Sequence, residues 1–169
     1  GTLTMPLHSF YRTVLKSWPY LAALFLALSA APASARAACD PQAGADEVIS
    51  VHCGATPSAH VDDSGTLWVV FEQNGHAWVS RSGDDGDSYS TAVRVNARPE
   101  TIETNGENRP KILVDEGNDS VYVSWTEKTE GQFTGDIRFS RSTDGGRSFE
   151  APRTVNDDGL LTSHRFESL

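Results

Sequence analysis

The chain has 169 residues, with 23 acidic against 14 basic side chains and a formal net charge of −9. That balance excludes the basic patch that nucleic acid or an anionic membrane demands, so neither is expected as a partner. It narrows the remaining roles little, because a negative surface commonly keeps exported proteins in solution.

Residues Gly1 to Thr4 precede Met5, the only methionine, and read as upstream residues with Met5 as the start. A short basic stretch with Arg12 and Lys16 follows, then the apolar run Leu21 to Leu28 and the small residues Ala33-Ser34-Ala35-Arg36-Ala37. This is the pattern of a secretory signal peptide cut after Ala35 or Ala37; the run is too short for the ~20 apolar residues of a spanning helix. Residues 1–37 are therefore read as upstream residues plus leader. The mature chain is expected in the periplasm, the cell envelope or the medium, with no membrane attachment after cleavage. Arg36 stands where a lipid-attachment motif ahead of Cys39 wants an aliphatic residue.

Residues 38–57 form an N-terminal segment holding both cysteines, Cys39 and Cys53. In an oxidising compartment they close a small loop worth ~3 kcal/mol in the chain-entropy model; the alternative is two free thiols. His52 and His60 lie near but without metal-ligand spacing, so no metal is expected.

From residue 58 the pattern is short strands between turns. Residues 58–62, 66–72 and 76–81 read as strands, separated by Asp63-Ser64-Gly65 and the hairpin signal Gln73-Asn74-Gly75. The octet Ser82-Gly83-Asp84-Asp85-Gly86-Asp87-Ser88-Tyr89 then leads to a fourth strand at 92–96. The order recurs: strands at 110–115, 120–127 and 136–141, the octet Ser142-Thr143-Asp144-Gly145-Gly146-Arg147-Ser148-Phe149, and a fourth strand near 153–156. The octets start sixty residues apart, and Ser80-Arg81 and Val95-Asn96 repeat at the same spacing as Ser140-Arg141 and Val155-Asn156.

Each octet residue has a local task. The Asp bonds the backbone that follows it, the Gly takes a positive φ, the Ser hydroxyl adds a second bond, and Tyr89 or Phe149 folds over the turn. No stretch of the mature chain carries a helical period. Four short antiparallel strands per repeat describe the blade of a β-propeller. Blades are assigned to 58–97 and 109–156, and 165–169 to the start of the next.

The two octets resemble Asp-boxes, with Ser82, Asp84, Gly86 and Tyr89 matched by Ser142, Asp144, Gly146 and Phe149. Gly135 to Gly146 is similar to bacterial exo-sialidases and their exported relatives. The resemblance spans about Ser58 to Leu169 and implies an all-β fold, the sialidase-type propeller of normally six blades. Two blades cannot close such a ring, so the chain is expected to be the N-terminal part of a longer propeller or to associate with copies of itself. The implied activity is release of terminal sialic acids from glycans, with no metal or organic cofactor. The alternative is a non-catalytic propeller that binds a glycan or a protein in the envelope.

Arg109 and Arg165 each precede a first strand, which lines the channel of a propeller, and paired guanidinium groups there suit a carboxylate ligand. The family's arginine motif is Phe/Tyr-Arg-Ile-Pro. Here the context is Asn108-Arg109-Pro110-Lys111-Ile112, and a structural role for both arginines is the competing reading. The family's general acid lies between second and third strands, where Glu127, Glu130 and Asp136 are candidates without a clear match. The nucleophilic Tyr with its Glu, and the remaining arginines, would lie in later blades. Asp84 and Asp144 are read as turn residues rather than catalysts. Trp68, Phe71, Trp78, Trp125 and Phe139 are expected to pack between blades rather than stack on sugars.

Overall fold

A computed structural model describes residue 1, residue 39, residues 48–160 and residues 162–164. The chain divides between Ala35 and Arg36, and apart from Gly1 every described residue belongs to the second unit. The rest of the proposed leader, and residues 165–169 with Arg165, lie outside the described residues.

Eight strands follow one another: β1 Ala55–Val61, β2 Leu67–Gln73, β3 His76–Ser82, β4 Val93–Arg94, β5 Lys111–Asp115, β6 Ser120–Lys128, β7 Gly135–Ser142 and β8 Arg153–Thr154. They form two four-stranded antiparallel sheets, β1-β2-β3-β4 and β5-β6-β7-β8, each with its strands in chain order. No α-helix occurs among the described residues. The fold is all-β, and each meander has the form of a propeller blade.

The β2–β3 hairpin runs in register from Leu67↔Ser82 to Gln73↔His76, which leaves Asn74-Gly75 as the two-residue turn. Both turn residues have positive φ, 57° and 76°, as the mirror-image turns of tight hairpins require. The first strand begins at Ala55 rather than at residue 58. Pairing with β2 slips between Ala55 and Ser58, and Thr56 sits at φ 40°, so a bulge lengthens the strand where an alternation pattern breaks. The fourth strands are shorter than expected, two residues each. Side chains continue where the ladder stops: Asn96 Oδ1 accepts the Ala77 N–H at 2.8 Å, and Asn156 Oδ1 accepts the Ile137 N–H at 2.9 Å. That is the physical content of the repeated Val-Asn pair.

The core lies between the sheets. Trp68, Val70, Ala77, Val79 and Val95 of the first blade meet Ile112, Val121, Val123 and Trp125 of the second, with Ile102 from the connection. The opposite face of β2 is covered as well. Phe71 packs so closely on Gly54 that a Cβ there would fall 2.1 Å from the ring, and the Gln73 amide bonds Val48 O and Ser50 N. Covered on both faces, β2 carries a continuous apolar run in place of an alternating one. Cys39 and Cys53 are joined by a disulfide, with Cα atoms 5.3 Å apart, beside this covering segment.

Trp68 and Trp125 thus pack between the blades, whereas Phe71 lies under the N-terminal segment. Phe139 is on the far face of the second blade, stacked on Tyr122 at 6.1 Å between centroids with the Arg153 guanidinium 5.4 Å above its ring. Trp78 is half-buried and donates its Nε1–H to Gln73 O at 3.0 Å.

Candidate functional site

An antiparallel meander sorts its connections onto two rims. The β1–β2 and β5–β6 turns share one rim with both Ser-x-Asp-x-Gly-x-Ser-aromatic octets, as the bonds from Asp63 N to Glu116 and from Gly145 N to Asp119 O show. The β2–β3 turn, the β6–β7 loop and the long connections after β4 and β8 lie on the other. Glu100 N bonds Gly75 O and Lys128 N bonds Thr101 O, both at 2.8 Å, which lays the first connection across that second rim.

The two boxes have nearly the same bonding. Ser82 Oγ donates to Asp84 Oδ1 at 2.7 Å and accepts the Gly86 N–H at 2.8 Å; Ser142 does the same for Asp144 and Gly146 at 2.7 and 2.9 Å. The hydroxyls and N–H groups of Ser88 and Ser148 fill the remaining carboxylate positions. The Ser88 hydroxyl, with Ser82 and the Ser88 N–H, pulls Asp84 down to about 2, and the same set around Asp144 holds it well below the ordinary carboxylate range. Carboxylates this saturated with donors are poor proton carriers, as their role in the turns predicts. Tyr89 closes its box over Gly86, and Phe149 packs against the edge of the core.

The second rim brings together what local sequence does not. Glu100, on the connection, is buried to 1 % side-chain exposure and accepts the Trp125 Nε1–H at 2.8 Å. Arg138, from the middle of β7, reaches Glu100 at 3.5 Å and Glu127 at 3.4 Å, and bonds Thr154 Oγ1 at 2.7 Å. Arg98, largely in solvent, lies 3.8 Å from Glu100 and 3.7 Å from Glu127. Two carboxylates and two guanidinium groups form one compensated cluster. Burial raises Glu127 above the usual Glu value, the charge of Glu100 pushes the same way, and Arg138 and Arg98 pull against both. Glu127 thus holds its proton more firmly than an ordinary Glu.

The other candidates differ. Asp136 accepts a bond from Asn156 Nδ2 at 3.0 Å, and Glu130 is exposed on the β6–β7 loop. Arg109 is exposed where a short 3-10 turn, Gly106–Asn108, ends, immediately ahead of β5. Beside it Lys111 bonds the carbonyls of Glu107 and Arg109. A hollow of about 270 Å³ on this rim is lined by Glu103, Asn105, Lys128, Thr129, Gly131, Phe133 and Thr134. Phe133 is 68 % exposed and held at φ 60°, presenting its ring at the mouth. Arg109 and Glu127 therefore share a rim without lining the same hollow. Sequence reasoning missed Arg98, Glu100 and Arg138, and none has a spacing that marks it.

No protein-family model matches the chain, and no curated protein sequence matches it. Among solved structures, the Hadza microbial sialidase Hz136 is similar at 19 % identity and a TM-score of 0.46, over 65 % of this chain. The matched part spans 28 % of that sialidase.

Proposed function

We propose that this chain is the N-terminal part of an exported, sialidase-like β-propeller hydrolase acting on terminal sialic acids of glycans. The observation that carries the reading is the raised Glu127 on the rim opposite the Asp-boxes, the rim that also presents Arg109. A carboxyl that keeps its proton can hand it to a leaving glycosidic oxygen, and an exposed guanidinium takes a sugar carboxylate in two parallel bonds. The nucleophile and further arginines would come from blades beyond these two.

A second reading, a propeller that binds glycans without cleaving them, is favoured by the ion pairs that tie Glu127 to Arg138 and Arg98. The test is turnover of a fluorogenic sialoside by the whole gene product beside its Arg109→Ala and Glu127→Gln variants. Turnover that falls in both variants supports the hydrolase. An inactive parent that still retains sialylated glycans supports the binding reading, and activity untouched by either substitution refutes the assignment of both residues.

A further inference from the structure

The Asp-box rim has a cleft of its own. A hollow of about 600 Å³ is lined by Asp62, Thr66, Trp68, Arg81, Ser88 and Tyr89 among others. It adjoins a groove between the blades, where Trp68, Arg81 and Ser90 face Gly145, Gly146 and Arg147. The Arg81 guanidinium lies 5.4 Å from the centroid of the Trp68 ring, and Asp62 fixes that ring by accepting its Nε1–H at 2.8 Å. The cation thus rests on a rigid aromatic platform.

The internal repeat shows what this guanidinium is built to hold. In the second blade Arg141 binds one oxygen of Glu150 through Nε and Nη2, at 3.1 and 2.7 Å. The backbones superimpose in function: Glu150 N bonds Arg141 O and Ser90 N bonds Arg81 O, both at 2.8 Å. In the first blade the place of Glu150 is taken by Ser90, whose hydroxyl turns to Ser80 and to the Arg81 N–H. Among the described residues no carboxylate lies within ion-pair distance of Arg81. Across the groove, Arg147 is anchored by one bond from Nη1 to Asp144 O at 2.7 Å, which keeps a second positive charge there.

We propose that this groove binds a carboxylate-bearing saccharide. Arg81 takes the carboxylate as Arg141 takes Glu150, while the Ser64, Ser88 and Ser90 oxygens, already bonded within the chain, offer their remaining acceptor positions to sugar hydroxyls beside the half-buried Tyr89 ring. An open groove lined by hydroxyls and the two rings of Trp68 and Tyr89 fits a polar ring better than a peptide, which would seek an apolar pocket or a strand edge. The site is separate from the hydrolase reading, because it lies on the opposite rim.

The experiment is calorimetric titration of the chain with trigalacturonate, maltotriose and triglutamate, followed also by tryptophan fluorescence. Trigalacturonate is expected to bind saturably, to weaken as salt rises, and to lose about tenfold in affinity in Arg81→Gln, the loss of one charge-assisted contact. Arg141→Gln, whose guanidinium is already occupied, leaves binding unchanged. The Arg81 side chain is exposed, so circular dichroism of its variant should match the parent. Absent saturation, equal affinity for maltotriose, tighter binding of triglutamate, or full binding by Arg81→Gln would each overturn the proposal.

Discussion

Gly86 and Gly146 occupy the same place in the two octet turns, yet replacing them with alanine should have different costs. Both are in the left-handed region, at φ 91° and 76°, and an Ala there costs about 1–2 kcal/mol in backbone strain. A Cβ on Gly86 meets the Tyr89 hydroxyl at 3.2 Å, the far end of a side chain that can move, and Leu67 Cδ2 at an ordinary 3.7 Å. A Cβ on Gly146 falls 2.8 Å from Trp68 Cζ3 and 3.3 Å from Cη2, with Val121 at 3.6 Å behind. The Trp68 ring cannot swing aside without giving up its bond to Asp62, so overpacking of about 1–3 kcal/mol adds to the strain. Gly146→Ala should therefore lose about 2–5 kcal/mol in all. Gly145→Ala, at φ 68° and 3.7 Å from only Arg147 Nη1, isolates the strain alone. Urea unfolding of the three variants, monitored by fluorescence and circular dichroism to check two-state behaviour, gives the differences directly. Equal midpoints for Gly146→Ala and Gly145→Ala would refute the account of how the second box seats on the first blade.

Asn96 is buried and serves the Ala77 N–H, Gly75 O and Arg98 O, so Asn96→Ala should cost about 2–4 kcal/mol in chemical denaturation. Asn156 is half-buried with two partners, and its alanine variant should lose about half as much. Acid titration of stability should separate two kinds of carboxylate. Asp84, lowered to about 2 from 3.8 by Ser88 and Ser82, stabilises the fold above the unfolded value, and that contribution is lost as pH falls between those two limits. Glu127 has the opposite sign: its folded form keeps the proton longer than the unfolded chain does, so stability declines as pH rises from the ordinary Glu range through the raised value. Glu127→Gln should remove that decline, read as a flatter dependence of the urea midpoint on pH. Reducing the Cys39–Cys53 bridge, with 14 residues of separation, should cost about 3 kcal/mol, measured by unfolding with and without dithiothreitol.

The strands and boxes were legible because their determinants are local. Asn74-Gly75 sets its hairpin by positive φ, and each box closes through side chains within eight consecutive residues. Where a determinant is distant, the sequence was silent. The early start of β1 depends on a bulge at Thr56 against a partner strand, and Pro57 conceals it. Arg138 read as an ordinary strand residue, and Glu100 as part of an aperiodic connection; their meeting over Trp125 depends on how the connection crosses the second blade. The same holds for the two box glycines, alike in sequence and unlike in surroundings. Arg109 was placed ahead of its strand correctly, but the hollow beside it is lined by the β6–β7 loop, whose shape no spacing foretells.

Glu100 also bears on how the chain comes together in time. Its carboxylate is offset by Trp125 and Arg138, both from the second sheet, while its backbone is bound to Gly75 of the first. A nascent chain that has completed only the first sheet must leave this acid in water and the connection loose. Once β6 and β7 arrive, the acid is drawn in, and the first sheet, the connection and the second sheet become mutually dependent. The two repeats should then unfold as one cooperative block rather than as independent beads, with the connection as the coupling element.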